Sequence, residues 1–239
     1  MSAAAPSWAA EFSPQVFNCV QPTQVQAAMR AMFSLYGLPE GLRLDNGLPW
    51  GGAGGNDLPS AMALWLVGLG LELTFNPPRQ PRYNGVVEKS HDTNQRWSEP
   101  HKAASAEQWQ QWIDAMDRRQ RQAYPYLGGR SRLEVFPQLK HSGRDYSESW
   151  EEQNWDLQRA REYLAGYVAR RRVSSAGRVT LYHRPYYVGR KHAATTVLAH
   201  YDPQACEWFM TQERGGQIRR WPAPEICRER ILALDISAE

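Results

Sequence analysis

The sequence predicts an α/β layer structure with an incomplete sheet, followed by a small all-β barrel. Strand and helix signals alternate as far as about residue 120, which favours helices packed on a sheet. Beyond residue 168 the apolar spacing changes to period two, with each run bounded by Gly, Pro or Asp. Between them lies a polar, interrupted stretch. The expected organisation is therefore 1–127 for the α/β part, 128–168 for a linker with one helix and 169–239 for the barrel. A chain of 239 residues with 42% hydrophobic content is long enough to bury such cores.

The segment from Trp8 to Val20 mixes aromatic and β-branched residues around Pro14 and predicts short extended pieces at a sheet edge. Thr23 and Gln26 have capping-box spacing, and Val25, Met29, Met32 and Tyr36 continue as a helical stripe. Gly37 and Pro39 stop that helix, and Leu42 to Asp45 is a short strand turned by Asn46-Gly47. After the Gly-rich loop 51–55, Asp57 and Pro59 open a second helix through Trp65 and Leu66, ending near Gly70. Leu71 to Phe75 is the next strand, Asn76 to Tyr83 a proline-rich loop, and a third helix beginning near Asn84 carries Glu88. A fourth helix follows Ser105, with Gln108 completing its capping box and Trp109, Trp112, Ile113 and Met116 as its stripe. Trp155 to Tyr167 forms one further helix. The period-two runs are Arg178 to Tyr182, Tyr186 to Val188, Thr195 to Tyr201 and Glu207 to Thr211, read as parts of a five-stranded barrel.

No run of about 18 apolar residues exists and the start lacks a signal-peptide layout, so the reading is a cytoplasmic protein without a membrane partner. Cys19, Cys206 and Cys227 are far apart with no C-x-x-C spacing, which excludes a zinc ribbon or a disulfide framework. The first hundred residues are slightly acidic, whereas Asp156 to Pro222 has a clear basic excess that includes Arg170, Arg171, Arg172, Arg178, Arg184, Arg190, Lys191, Arg219 and Arg220. Such a local field suits a polyanion such as DNA, and a solvated surface gives similar counts.

Asp45 ends an apolar strand, which leaves its carboxylate at the carboxyl edge of a sheet, where ligands of α/β proteins bind. Glu88 follows the proline-rich loop near a helix start. Two carboxylates at one edge can hold Mg²⁺ or Mn²⁺ through oxygen ligands, and paired ions of this kind serve phosphoryl transfer. Singly, an Asp before Asn-Gly is also an ordinary turn residue, and a Glu near a helix start is also favoured by the helix dipole.

The residues acquire specificity as a series. Tyr36-Gly37-Leu38-Pro39, Leu42-Arg43-Leu44-Asp45-Asn46-Gly47, Leu69-Gly70-Leu71, Pro77, Pro81 and Asn84-Gly85-Val86-Val87-Glu88 follow in order. This series resembles the second half of the ribonuclease-H-like catalytic core of retroviral integrases and, more closely, of bacterial insertion-sequence transposases, over roughly Trp8 to Pro100. The resemblance implies that Asp45 and Glu88 are the second and third metal-binding acids of an Asp-Asp-Glu triad, and that Asn84 and Gly85 contact a DNA end. His91 would share the helical face of Glu88, although a surface histidine reads the same way.

The sequence departs from the family at the first acid. No aspartate precedes Asp45, and Glu11 and Glu40 are not placed to substitute. The likeness opens at the third strand of the family sheet, as though the chain were truncated at its N-terminus. A two-carboxylate site is expected to bind its metal weakly and to leave strand transfer beyond this chain alone. An edge left open near Asp45 is expected to be covered by the N-terminal segment or by another chain.

In the last part, Arg170-Arg171-Arg172-Val173, Gly177-Arg178-Val179, Tyr186-Tyr187-Val188-Gly189 and Val197 to Asp202 resemble the small barrel that follows the core in Mu-like and insertion-sequence transposases. The resemblance implies contact with DNA backbone through Arg170, Arg171, Arg172, Arg178, Arg190 and Lys191, with Tyr182, Tyr186 and Tyr187 interleaved. Trp65, Trp109 and Trp112 fit core stripes better than base stacking. The functional expectation is a DNA-binding transposase/integrase-like protein related to DNA integration and transposition. The alternative is a non-catalytic assembly module that pairs with itself or with a full-length transposase.

Overall fold

The computed structural model describes residues 15–16, 21–51, 57–77, 92–93 and 95–237. In chain order the elements are α1 (Pro22–Tyr36), β1 (Gly41–Leu44), α2 (Ala61–Gly68), β2 (Glu72–Phe75), α3 (Ala106–Gln122), α4 (Arg132–Val135), α5 (Glu148–Asn154), α6 (Leu157–Ala165), β3 (Val168–Arg172), β4 (Arg178–Leu181), β5 (Arg184–Tyr187), β6 (Thr196–Asp202), β7 (Glu207–Gln212), β8 (Gln217–Pro222) and α7 (Arg228–Leu232). The fold is mixed α/β, and among the described residues no helix is long and apolar enough to cross a membrane.

Two compact units divide the chain otherwise than the linear segmentation expects. One contains Met1–Pro39 and Arg79–Ser149, the other Glu40–Pro78 and Trp150–Glu239. Residues 40–78 thus group with the C-terminal strands.

In the first unit α1 begins two residues earlier than the Thr23–Gln26 spacing predicts. Pro22 occupies a first-turn position, where its fixed φ suits the helix, so Gln21 becomes the last extended residue and forms the capping box with Gln24. Val25, Gln26, Met29 and Phe33 are buried, and Phe33 meets Tyr146 edge-on at 5.6 Å. Gly37 closes the helix at φ +77°, and a Cβ there would lie 2.8 Å from the Arg144 carbonyl. On α3, Ser105 caps as expected by accepting from the Gln108 N–H, but the Gln108 side chain reaches the Ala104 N–H at 2.7 Å instead of the cap residue's own. Ile113 and Met116 are buried, and the Trp109 indole donates to Ser98 at 2.8 Å. The expected linker is folded over much of its length: Ser131 and Glu134 form a reciprocal capping box on α4, and Pro137–Lys140 is a 3-10 turn. Residues 92–93 and 95–98 are helical. The expected strands of Trp8 to Val20 lie outside the described residues except for Gln15 and Val16, which are in neither strand nor helix.

In the second unit β1 and β2 form a parallel pair, Leu42 opposite Leu73 and Leu44 opposite Phe75, connected through α2. Parallel neighbours need such a crossover. The cap of α2 is Ser60, whose hydroxyl accepts from the Ala63 N–H at 3.1 Å, and not Asp57 or Pro59. Met62, Ala63, Leu64, Trp65 and Leu66 are all buried, as a helix apolar on every side requires. It packs against α6. The Trp155 indole donates to the Trp65 carbonyl at 2.9 Å while the Trp65 indole donates to buried Glu151 at 2.9 Å.

The remaining strands form an antiparallel sheet in the order β3-β6-β7-β8, with β4-β5 as a separate hairpin. Ala169, Val197, Ala199, Tyr201, Trp208 and Met210 are buried on the sheet's inner side. No ladder closes these strands into the expected barrel: β3 and β8 are edges of an open sheet. Pro185 within β5 lacks an N–H, which suits a strand with one free edge. Cys206 and Cys227 are free thiols, as expected, and Cys19 lies outside the described residues.

Candidate nucleic-acid interface

Asp45 stands one residue beyond β1 and is exposed, at the carboxyl end of the parallel pair. Its Oδ1 accepts from the Gly47 N–H at 2.9 Å, the Asx turn that an Asp before Asn-Gly makes readily. The Asn46 amide donates to the Asn76 carbonyl at 2.7 Å and fastens this turn to the end of β2. Asn84, Gly85, Glu88 and His91 lie outside the described residues. Among the described residues no three His, Cys, Asp or Glu side chains gather as metal ligands.

The basic residues are sorted by the fold. Arg170 pairs with Glu213. Arg171 is held by Asp57 at 2.5 Å and by the Thr180 carbonyl at 2.9 Å. Arg184 faces Glu225 at 3.7 Å, and Arg220 joins Asp202 at 2.7 Å. Arg170 and Arg171 thus each have an acid partner contributed by a distant stretch of chain. Arg172, Arg178, Arg190 and Lys191 differ: all are exposed, and no side chain of the four makes an ion pair among the described residues. From Tyr163 to Tyr201 the chain contains neither Asp nor Glu.

The backbone segments that carry these four cations meet at one knot. The Ser174 N–H donates to the Arg178 carbonyl at 2.8 Å, and the Val188 and Gly189 N–H groups both donate to the Gly177 carbonyl, at 2.8 and 3.1 Å. Val173 and Thr195 are bonded at 2.9 Å, which brings the end of β3 beside the 3-10 turn Arg190–His192. Gly177 has φ +75°, and a Cβ there would lie 2.6 Å from the Arg190 nitrogen, so only glycine lets the two turns approach this closely.

No protein-family model matches the chain. The corner's character therefore rests on its own geometry and charge.

The tyrosines divide in the same way. Tyr182 donates from its hydroxyl to the Pro59 carbonyl at 2.7 Å, and Tyr186 donates to buried Glu225 at 2.6 Å. Burial, reinforced for Tyr182 by nearby Asp57 and for Tyr186 by its bond to Glu225, pushes both phenols well above their usual range. Tyr186 is buried and Tyr182 half-buried, and both hydroxyls are engaged within the fold. Tyr187, directly opposite Arg178, is 48% exposed. The sequence reading missed β3 and β8 as strands by pattern, since consecutive arginines conceal the alternation that Ala169 and Arg171, facing inward, share.

Proposed function

We propose that this chain is a DNA-binding protein of the transposase/integrase kind, acting in the cytoplasm, whose basic corner holds duplex phosphates without reading sequence. The carrying observation is that Arg172, Arg178, Arg190 and Lys191 are exposed and make no ion pair among the described residues, whereas Arg170, Arg171 and Arg220 of the same unit have acid partners. Like charges held together without counter-charges create a positive potential that a polyanion relieves, with release of its own counterions. Tyr187 beside Arg178 adds an amphipathic ring suited to a sugar face. The β1-α2-β2 crossover with Asp45 at its carboxyl end supports the ribonuclease-H-like part of the reading.

In this proposal Asp45 and Glu88 are the remnant of a Mg²⁺ or Mn²⁺ site, and Asn84 and Gly85 lie where a DNA end is held. The activity proposed here is duplex binding. Fluorescence anisotropy with a duplex of arbitrary sequence is expected to give a dissociation constant of about 10⁻⁶ M at low ionic strength, weakening steeply with added salt. A chain with no affinity under those conditions overturns the DNA reading. For the metal, Mn²⁺ binding followed by electron paramagnetic resonance is expected to weaken equally in Asp45→Asn and Glu88→Gln. Unequal or absent effects overturn their pairing.

A further inference from the structure

The β4-β5 hairpin begins with Arg178 and leads into Arg190 and Lys191, yet no strand ladder attaches it to the four-stranded sheet. Beyond the backbone bond from Ser174 to Arg178, its attachment is made by side chains. At its tip Tyr182 bonds to the Pro59 carbonyl, and Arg171 of β3 reaches the Thr180 carbonyl. At its other end stands Glu225, fully buried at 0% exposure. The Glu225 Oε1 accepts from the Tyr186 hydroxyl of β5 and from the Trp208 indole of β7, both at 2.6 Å. Among the described residues the Oε2 has no hydrogen-bond partner, and it faces the Arg184 guanidinium at 3.7 Å. One carboxylate thus joins hairpin, sheet and the segment leading to α7.

Burying a carboxylate costs desolvation that an apolar side chain of similar volume avoids, so packing alone is a poor account of a glutamate here. Its distinctive effect is geometric. From Tyr186 the chain runs two residues to Val188, whose N–H is fixed on the Gly177 carbonyl, and then directly to Arg190 against Gly177. The hairpin carries Arg178, Arg190 and Lys191 together, so the position of β5 sets where they stand relative to Arg172 of β3.

We propose that Glu225 is the positioning residue of the basic corner, holding β5 so that the four cations present one phosphate-binding surface. This rests on the DNA-binding reading of that corner. Glu225→Gln keeps the volume and one acceptor oxygen but turns an N–H donor toward Arg184. Tyr186→Phe removes only the hydroxyl and serves as the milder variant. With the full chain and a fluorescein-labelled duplex, Glu225→Gln is expected to weaken binding about three- to tenfold, with Tyr186→Phe shifting it in the same direction by less. The slope of log affinity against log salt should fall by about one phosphate contact in Glu225→Gln. Amide hydrogen exchange should quicken at Tyr187, Val188 and Arg190 and stay unchanged along β6 and β7. Wild-type affinity and salt slope in both variants overturn the proposal, as does a loss of affinity accompanied by faster exchange throughout β6 and β7. If the wild-type chain binds no duplex, the DNA reading fails and the corner has no phosphate to position. Faster exchange confined to the hairpin in the variants would then separately identify Glu225 as its anchor.

Discussion

Arg171 and Arg172 are neighbours on β3 whose side chains leave opposite faces of the strand, and alternation alone gives them different work. Arg171 turns inward to Asp57 and Thr180, while Arg172 points to solvent at the basic corner. Arg171→Gln is expected to lower stability by about 1 kcal/mol in urea unfolding with little change in duplex affinity. Arg172→Gln is expected to do the reverse, leaving the urea midpoint unchanged and removing about one contact from the salt slope. The sequence shows the arginine run but not which members are already engaged, because Glu213 and Asp57 come from far along the chain. His200 carries a pH prediction. Partial burial lowers its imidazole below the ordinary 6.5, where it stacks on Phe209 at 4.8 Å and bonds Thr211 at 3.1 Å. A lowered histidine means that the unfolded chain takes up the proton first, so its stabilising effect is full above that ordinary value and declines as pH falls through it toward the folded value. The urea midpoint of the wild type should therefore drop more between about pH 7.5 and about pH 5.5 than that of His200→Phe, which keeps the stack without titrating. Equal drops would contradict this.

At the scale of elements, α2 and its surroundings show what patterning reveals. Its apolar content made the helix legible, but the cap lay one residue past the expected Pro59, because Ser60 offers a hydroxyl to the Ala63 N–H. The last turn depends on Gly68, where a Cβ would enter the Trp155 ring. Gly68→Ala is expected to destabilise the chain by about 1–3 kcal/mol through overpacking, measured by chemical unfolding, and a neutral or stabilising effect would refute that contact. The four period-two runs became β4, β5, β6 and β7, each within a residue or two at its ends. Their closure was not legible. Pro185 was visible as an ordinary turn-former, and its consequence for the ladder depends on which strands lie beside it. The expected linker similarly concealed the Ser131–Glu134 box, whose spacing is plain once Arg132 is seen to start a helix.

For the whole molecule, the alternation of signals was enough to give mixed α/β structure, whereas the path of the chain between its two compact units was not. Linear segmentation assumes that neighbours in sequence share a core, and residues 40–78 do not obey it. The acidic pair is the part of the functional reading most dependent on resemblance: Asp45 is on the exposed end of β1 and Glu88 is outside the described residues. The basic corner is the part that stands on geometry, so the decisive measurement belongs there. Affinity for an arbitrary duplex should be followed against salt for the wild type and for a chain combining Arg172→Gln, Arg178→Gln, Arg190→Gln and Lys191→Gln. The account predicts that the combined substitutions reduce the salt slope by about three to four and abolish measurable binding near physiological ionic strength. A substituted chain that retains both the wild-type slope and the wild-type affinity would contradict it.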